Sequence, residues 1–155
     1  MSYQDQIVKL TQRAVMDLVQ AVGDMPEEAR DWQPAPNSRS ALNQLREVAM
    51  GPQYLTPLFM ENPGDSFANH GAAGVDMTEA KLETFEECRQ EAMSGLAILC
   101  QSMARVPDDR LEEEVLLPFG GGTTMTLADV MALHYWNATY HLGQVTYIAG
   151  LFEQC

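Results

Sequence analysis

The amino-acid sequence predicts an all-α fold, specifically a four-helix bundle. Four long segments carry apolar residues at helical spacing, and no set of alternating segments predicts a sheet. The chain has 155 residues, of which 46% are hydrophobic. This size suits one domain over residues 1–155 with a single apolar core.

The first helix is predicted from Tyr3 to Val22, and Gly23 and Pro26 are expected to end it. Its apolar residues follow helical spacing: Ile7, Leu10, Ala14, Val15, Leu18 and Val22. Such an unbroken face packs into a core, and it could also form a dimer interface.

The second helix is predicted to follow a proline-bearing loop at residues 31–37, with Ser38 as its N-cap. It carries the apolar residues Leu42, Leu45, Val48 and Ala49. Because a proline inside a helix removes a backbone hydrogen bond, Pro52 and Pro57 predict a kink or a break near Gly51.

A third helix is predicted from about Thr78 to Met103, with Leu82, Phe85, Ala92, Leu96 and Leu99 facing inward. The polar, glycine-rich segment 61–75 before it is expected to be a loop. His70 in that loop is expected to face solvent, since nothing near it has metal-ligand spacing. Residues 115–124 are predicted to form a crossover loop or a short extended piece.

The last helix is predicted from Thr126 to Gln144. Thr126 can cap its first turn, and Asp129 three residues later completes a capping-box pattern. Gly143 costs helix propensity, so we expect it to let this helix approach a neighbour closely.

Three polar residues of this helix, His134, Asn137 and His141, fall within roughly 60° of arc beside apolar residues. The polar strip is therefore expected to point inward, where a metal, a ligand or a hydrogen-bond network must satisfy it. His134 lies roughly 10 Å of helical rise from His141. We interpret it as a core or pocket-lining histidine that does not share a metal with His141.

Charge and composition exclude some classes of partner. The net charge is −13, from 22 acidic and 9 basic residues, so a nucleic-acid partner is not expected. No segment is apolar enough to span a membrane, and the N-terminus lacks the pattern of a signal peptide. Three cysteines form neither a metal cluster nor an even disulfide set. These features favour a cytoplasmic protein.

Two motifs carry a family resemblance. The sequence H-L-G-Q at residues 141–144, one turn after Asn137, resembles the last helix of the DinB-like (DinB/YfiT) superfamily. Upstream, W-Q-P-A-P at residues 32–36, followed by Ser40 and Leu45, is similar to that family's lead-in to its second helix. The resemblance implies an up-up-down-down bundle, and its members often form homodimers.

The resemblance also implies a divalent-metal site built from one histidine on the second helix and two on the last. At those positions this chain has Glu47, Asn137 and His141. A carboxylate and an imidazole can bind zinc, nickel or manganese, whereas an amide oxygen is a weak ligand. The alternatives are a hydrogen-bonded polar cluster of the same three residues, or a Glu47 that faces solvent.

Because two of the three usual histidines are replaced, we favour a non-catalytic protein that binds a small molecule or another protein. The alternative is a divalent-metal-dependent enzyme, for example a thiol-dependent transferase. In that enzyme Glu47, Asn137 and His141 would hold a metal that acts as a Lewis acid or activates a thiol.

Overall fold

A computed structural model describes residues 1–60, 82–117 and 122–154 and shows a four-helix bundle. Its helices are α1 (Tyr3–Gly23), the short α2 (Glu27–Arg30), α3 (Ala41–Met60), α4 (Phe85–Ala104) and α5 (Leu127–Phe152). A 3-10 turn (Asp108–Arg110) and two short strands, β1 (Glu114–Leu116) and β2 (Thr124–Thr126), lie between α4 and α5.

The four long helices form a square around one apolar core. The main contacts join α1 to α5 and α3 to α4, and the pairs α1–α4 and α3–α5 close the square. In the up-up-down-down order, each of these neighbouring pairs is antiparallel. The predicted all-α four-helix bundle is therefore confirmed. Within the described ranges, no helix is long and apolar enough to cross a bilayer.

Helix α1 begins at Tyr3 as the sequence predicts. The Ser2 hydroxyl accepts from the Asp5 backbone N–H at 3.1 Å, and the Asp5 carboxylate accepts from the Ser2 N–H at 3.1 Å. The predicted apolar face is buried inside this chain, except for Leu10, which is 38% exposed. That face is the core surface of α1, so it is not free to bind a second copy.

Helix α3 begins after Ser40 instead of Ser38. The Ser40 hydroxyl accepts from the Asn43 backbone N–H at 3.1 Å, which is the N-cap contact. The Ser38 hydroxyl bonds instead to the backbone of Ala35, at 2.9 Å from its N–H and 2.8 Å from its carbonyl. The prediction of Ser38 as the cap was wrong because this hydroxyl closes the preceding turn.

Of the kink or break predicted near Gly51, the break is absent, since α3 remains helical through Pro52 and Pro57. Tertiary packing explains this. A Cβ on Gly95 of α4 would lie only 3.0 Å from Pro52 Cβ, so α4 packs closely on the proline ring. On the other side, His134 of α5 lies against the bare backbone of Gly51. Contacts with two helices compensate for the missing backbone hydrogen bond.

Helix α4 begins at Phe85 instead of Thr78. The Thr84 hydroxyl accepts from the Glu87 N–H at 3.2 Å, and the Glu87 carboxylate accepts from the Thr84 N–H at 2.8 Å. This capping box fixes the start of the helix more strongly than the apolar spacing upstream. Segment 61–81, which includes the predicted loop with His70, lies outside the described residues.

The two strands pair antiparallel, with Val115 opposite Met125, so part of residues 115–124 is the predicted short extended piece. Residues 118–121 lie outside the described residues. Helix α5 begins as predicted, because the Thr126 hydroxyl and the Asp129 carboxylate form a capping box. The helix continues to Phe152 instead of ending at Gln144.

We predict that Gly51→Ala destabilises the fold by about 1–3 kcal/mol, the usual cost of overpacking. The added Cβ would lie 2.8 Å from His134 Nδ1 and 2.9 Å from His134 Cε1. Denaturant unfolding measures the change, and a double-mutant cycle with His134→Ala provides the control. Removing the ring should abolish most of the cost, whereas an equal cost in both backgrounds would contradict this assignment.

Candidate functional site

The imidazole ring of His141 projects from the inner face of α5 into the bundle. This face carries the buried residues Val130, Met131, His134, Ala138, His141, Val145 and Ile148. His141 is only 3% exposed, and both of its ring nitrogens meet oxygen atoms of α3. Nδ1 lies 2.7 Å from Gln44 Oε1, and Nε2 lies 3.1 Å from Glu47 Oε1.

Helix α3 supplies both partners because residues three positions apart share one side of a helix. Gln44 is 2% exposed, and it faces the core beside Leu45 and Val48. Glu47 is partly exposed at the rim, with 30% of its side chain accessible. Gln44 therefore contacts the His141 ring from the buried side, and Glu47 contacts it from the partly exposed side.

A cation completes the cluster on the solvent side. The Arg39 guanidinium donates through Nη1 to Glu47 Oε2, and through Nη2 to the Asn43 backbone carbonyl at 3.1 Å. Its Nε donates to Asn43 Oδ1 at 2.5 Å. Each Glu47 oxygen therefore has one partner, Arg39 on one side and His141 on the other. We call Arg39, Gln44, Glu47 and His141 the polar cluster.

The cluster favours the ionised form of Glu47. Partial burial alone raises the pKa of this carboxyl, but the hydrogen bonds and charges of Arg39 and His141 outweigh burial and leave the pKa below its usual value. The two ring nitrogens of His141 face Gln44 Oε1 and Glu47 Oε1. The result is a hydrogen-bonded chain that runs from Arg39 through Glu47 to His141 and Gln44.

The structure brings together two of the three predicted site residues. Glu47 and His141 are in contact, whereas the half-buried side chain of Asn137 makes no hydrogen bond to the described residues. Sequence analysis missed Gln44 and Arg39. Gln44 could have been found as a polar residue that falls among the apolar positions of α3 at helical spacing. Nothing in the sequence marks Arg39 as a partner of Glu47.

His134 is a core histidine, as the sequence predicts. It is 2% exposed, and its Nε2 atom is buried without a hydrogen-bond partner among the described residues. Burial lowers the pKa of His134 to about 4, so the ring is neutral near pH 7. His134 is therefore a neutral core residue and not a member of the polar cluster.

Two aromatic residues of α5 border the cluster. The rings of Trp136 and Tyr140 stack with centroids 5.6 Å apart, and Tyr140 meets the His141 ring edge-on at 5.4 Å. Both rings are more than half exposed, so they do not line a closed cavity with the described residues. Tyr140 is the member of this stacked pair that meets the His141 ring.

The residues present do not fit the metal centre that the resemblance implies. A metal needs the lone pair of a ring nitrogen and free carboxylate oxygens. Both nitrogens of His141 and both oxygens of Glu47 already have protein partners, and the Arg39 cation lies where a divalent cation would be repelled. In the described ranges, no group of three His, Cys, Asp or Glu side chains could hold a metal ion.

The fold and the position of this cluster define a helical bundle with a polar centre between its second and last long helices. A family model described as the DinB superfamily matches residues 10–145, and the chain belongs to this superfamily. The resemblance noted in the sequence is thereby confirmed. No curated protein matches the chain.

Solved structures are similar in fold. Mycothiol-dependent maleylpyruvate isomerase matches with a TM-score of 0.71 and 10% identity over 94% of this chain and 63% of that one. A histidine-to-alanine variant of that isomerase also gives a TM-score of 0.71, with 12% identity. This chain therefore spans less than two thirds of the isomerase.

A second relative in fold is YfiT from Bacillus subtilis, described as a probable metal-dependent hydrolase with an unusual four-helix bundle topology. It matches with a TM-score of 0.68 and 16% identity over 97% of this chain and 87% of that one. At such identities the similarity shows the fold alone, so the activities of these proteins remain theirs.

We predict that His134 makes the fold sensitive to acid between about pH 6.5 and about pH 4. The pKa of His134 is lower in the folded state than in the unfolded state. Its contribution to the free energy of unfolding is therefore complete above the unfolded-state pKa and is lost as the pH falls through the folded-state pKa. The free energy of unfolding should fall by about 3 kcal/mol in total, at about 1.4 kcal/mol per pKa unit.

The measurement is denaturant unfolding of the wild type and of His134→Gln across that range of pH. A flatter stability profile in the variant is expected, because glutamine does not titrate. Parallel profiles would contradict the assignment of this acid sensitivity to His134.

Proposed function

We propose that this chain is a metal-independent binding protein of the DinB superfamily, in which the polar cluster stands in place of a metal centre. One observation carries the proposal. Every oxygen of Glu47 and every ring nitrogen of His141 is already hydrogen-bonded to another side chain of the protein.

Energetics support the proposal. To bind a metal, His141 would have to lose a hydrogen bond, and Glu47 would have to leave either Arg39 or His141. Breaking a buried contact leaves a polar group unsatisfied, at a cost of about 1–3 kcal/mol, and more for a charged group. The Arg39 cation would add repulsion against a divalent ion at close range.

The exposed part of the cluster suits a small polar ligand. The side chains of Arg39 and Glu47 are 41% and 30% accessible, and the Tyr140 ring contacts His141 of the same cluster. A guanidinium and a carboxylate side by side offer both donors and acceptors to one molecule. The net charge of −13 opposes a nucleic-acid partner.

The alternative function is a divalent-metal-dependent enzyme, for example a thiol-dependent transferase. The similar structures favour it, because one is a mycothiol-dependent isomerase and another is described as a probable metal-dependent hydrolase. In this alternative, Glu47, Asn137 and His141 would bind zinc, nickel or manganese after the polar cluster rearranges.

The cysteines are relevant to the cellular location of the protein. Cys88 and Cys100 are buried free thiols, and burial raises the pKa of Cys100 to about 11. Thiols of this kind are unreactive structural residues. They support the cytoplasmic location that we propose for the protein.

We predict that protein purified without an affinity tag or chelator lacks near-stoichiometric zinc, nickel and manganese, even after incubation with each metal. The measurement is elemental mass spectrometry. The Glu47→Ala, His141→Ala double variant gives the background. The Glu47→His, Asn137→His double variant installs the ligand set that the resemblance implies, and it is expected to gain zinc.

Near-stoichiometric metal in the wild type that is absent from the alanine variant would overturn the proposal. It would establish the metal-dependent alternative and justify thiol-transfer assays. The histidine variant shows that the preparation can report a metal when a three-histidine site is present.

A further inference from the structure

The outer face of α5 carries no charged side chain over most of its length. The chain has 22 acidic and 9 basic residues, yet none of them lies between residues 130 and 152. The only Asp, Glu, Lys or Arg of this 26-residue helix is Asp129, in its first turn. Since a long surface helix normally carries charges on its solvent side, the composition of this face needs another explanation.

Aromatic rings form a row on this face. At about 100° per residue, positions 136, 140, 143 and 147 fall within roughly 60° of arc. They are occupied by Trp136, Tyr140, Gly143 and Tyr147. The three aromatic side chains are exposed, by 62% for Trp136, 52% for Tyr140 and 68% for Tyr147. Three members of the row are therefore exposed rings, and the remaining member has no side chain.

Gly143 leaves a gap in the row. The sequence predicts a close approach of this glycine to a neighbouring element, but among the described residues nothing lies within 4 Å of the position that a Cβ would take. Packing inside the described bundle therefore does not explain the glycine, which lowers helix propensity. Glycine is also used where a ligand must approach the backbone closely.

The gap has the length of one flat ring. The Trp136 and Tyr140 rings stack with centroids 5.6 Å apart and planes 19° from parallel. Two ring-to-ring steps of that length span about 11 Å, close to the rise of roughly 10.5 Å between Tyr140 and Tyr147. A planar ring above Gly143 can therefore stack between these two tyrosines.

The Tyr140 ring is held in place before any ligand arrives. One of its faces stacks on Trp136, and the ring meets His141 edge-on at 5.4 Å. Because Trp136 lies one turn before Tyr140, the other face of the Tyr140 ring is directed toward the next turn, which contains Gly143. A wall that is already ordered reduces the entropic cost of binding.

We propose that Tyr140, Gly143 and Tyr147 form a binding site for a planar aromatic cation, and we call these three residues the ring slot. Charge selects the cation. The faces of aromatic rings attract cations, and no Lys or Arg of α5 opposes one. The net charge of −13 also concentrates cations around the protein. The site is additional to the proposed function, because no residue of the ring slot belongs to the polar cluster.

Isothermal titration calorimetry of the full chain with three flat probes tests the charge preference. The probes are the cation N-methylquinolinium, the neutral quinoline and the anion naphthoate, at neutral pH. For a small ligand at an exposed site, we expect N-methylquinolinium to bind with a dissociation constant on the order of 0.1–1 mM. It should bind about fivefold more tightly than quinoline, and naphthoate should not bind detectably.

Gly143→Phe tests the position of the site. The new ring completes the row from within the protein, so it should fill the slot and weaken binding of N-methylquinolinium at least about tenfold. Gly150→Phe is the matched control, because a Cβ at Gly150 would also meet nothing within 4 Å among the described residues. Gly150 lies beyond Tyr147, outside the slot, so binding should stay within about twofold of the wild type.

Tyr147 provides a second test that does not depend on Gly143→Phe. Tyr147→Ala removes one wall of the slot and should weaken binding of N-methylquinolinium at least about threefold, whereas Tyr147→Phe keeps the ring and should bind like the wild type. Because Tyr147 is 68% exposed, neither change disturbs the core. Circular dichroism verifies that each variant is folded.

Four results would each overturn the proposal: no binding of N-methylquinolinium to the wild type, equal affinity for quinoline, equal losses in Gly143→Phe and Gly150→Phe, or unchanged binding in Tyr147→Ala. Sedimentation velocity examines a second copy as the occupant. A dimer that Gly143→Phe disrupts and N-methylquinolinium does not dissociate would also overturn the proposal. None of these results affects the metal measurement, so this site and the proposed function can fail separately.

Discussion

His141 places a polar ring inside an apolar bundle, where each ring nitrogen must be hydrogen-bonded or leave an unsatisfied group that costs about 1–3 kcal/mol. Gln44 and Glu47 of α3 supply these hydrogen-bond partners, and Arg39 pairs with the Glu47 carboxylate. Because these contacts join residues more than 90 positions apart, they fix how α3 faces α5. The same contacts occupy the atoms that a metal would need.

His134 shows the other solution available to a buried histidine. One face of α5 presents both rings, but His134 has no partner for Nε2 and has a pKa lowered to about 4, so it stays neutral. The unpartnered Nε2 remains an unsatisfied polar atom, and the buried ring also needs space. Gly51 gives that space, and Pro52 beside it packs on Gly95 of α4. Helix α3 therefore contacts α5 through Gly51 and α4 through Pro52. Both residue types have low helix propensity, and the packing of the bundle overrides it.

Much of the fold could be predicted from the sequence, because capping boxes and apolar spacing are local signals. Most long-range contacts could not be predicted from it. The start of α3 depends on Ser40 because Ser38 is engaged by Ala35, and the resemblance drew attention to Asn137 although Gln44 is the residue that binds His141. The contact of Glu47 with His141 was predictable from matched family positions. The contact of Glu47 with Arg39 was not, since it depends on the path of the loop before α3.

We propose that the polar cluster satisfies its own hydrogen bonds and leaves no free ligand atoms of Glu47 or His141 for a metal. Thermal unfolding in chelator and in excess zinc tests it most directly, because any ion that binds only the folded state raises the melting temperature. We expect equal melting temperatures for the wild type in both conditions. A rise in zinc that disappears in Glu47→Gln would contradict it, since it would show that the carboxylate leaves Arg39 and His141 to bind the ion.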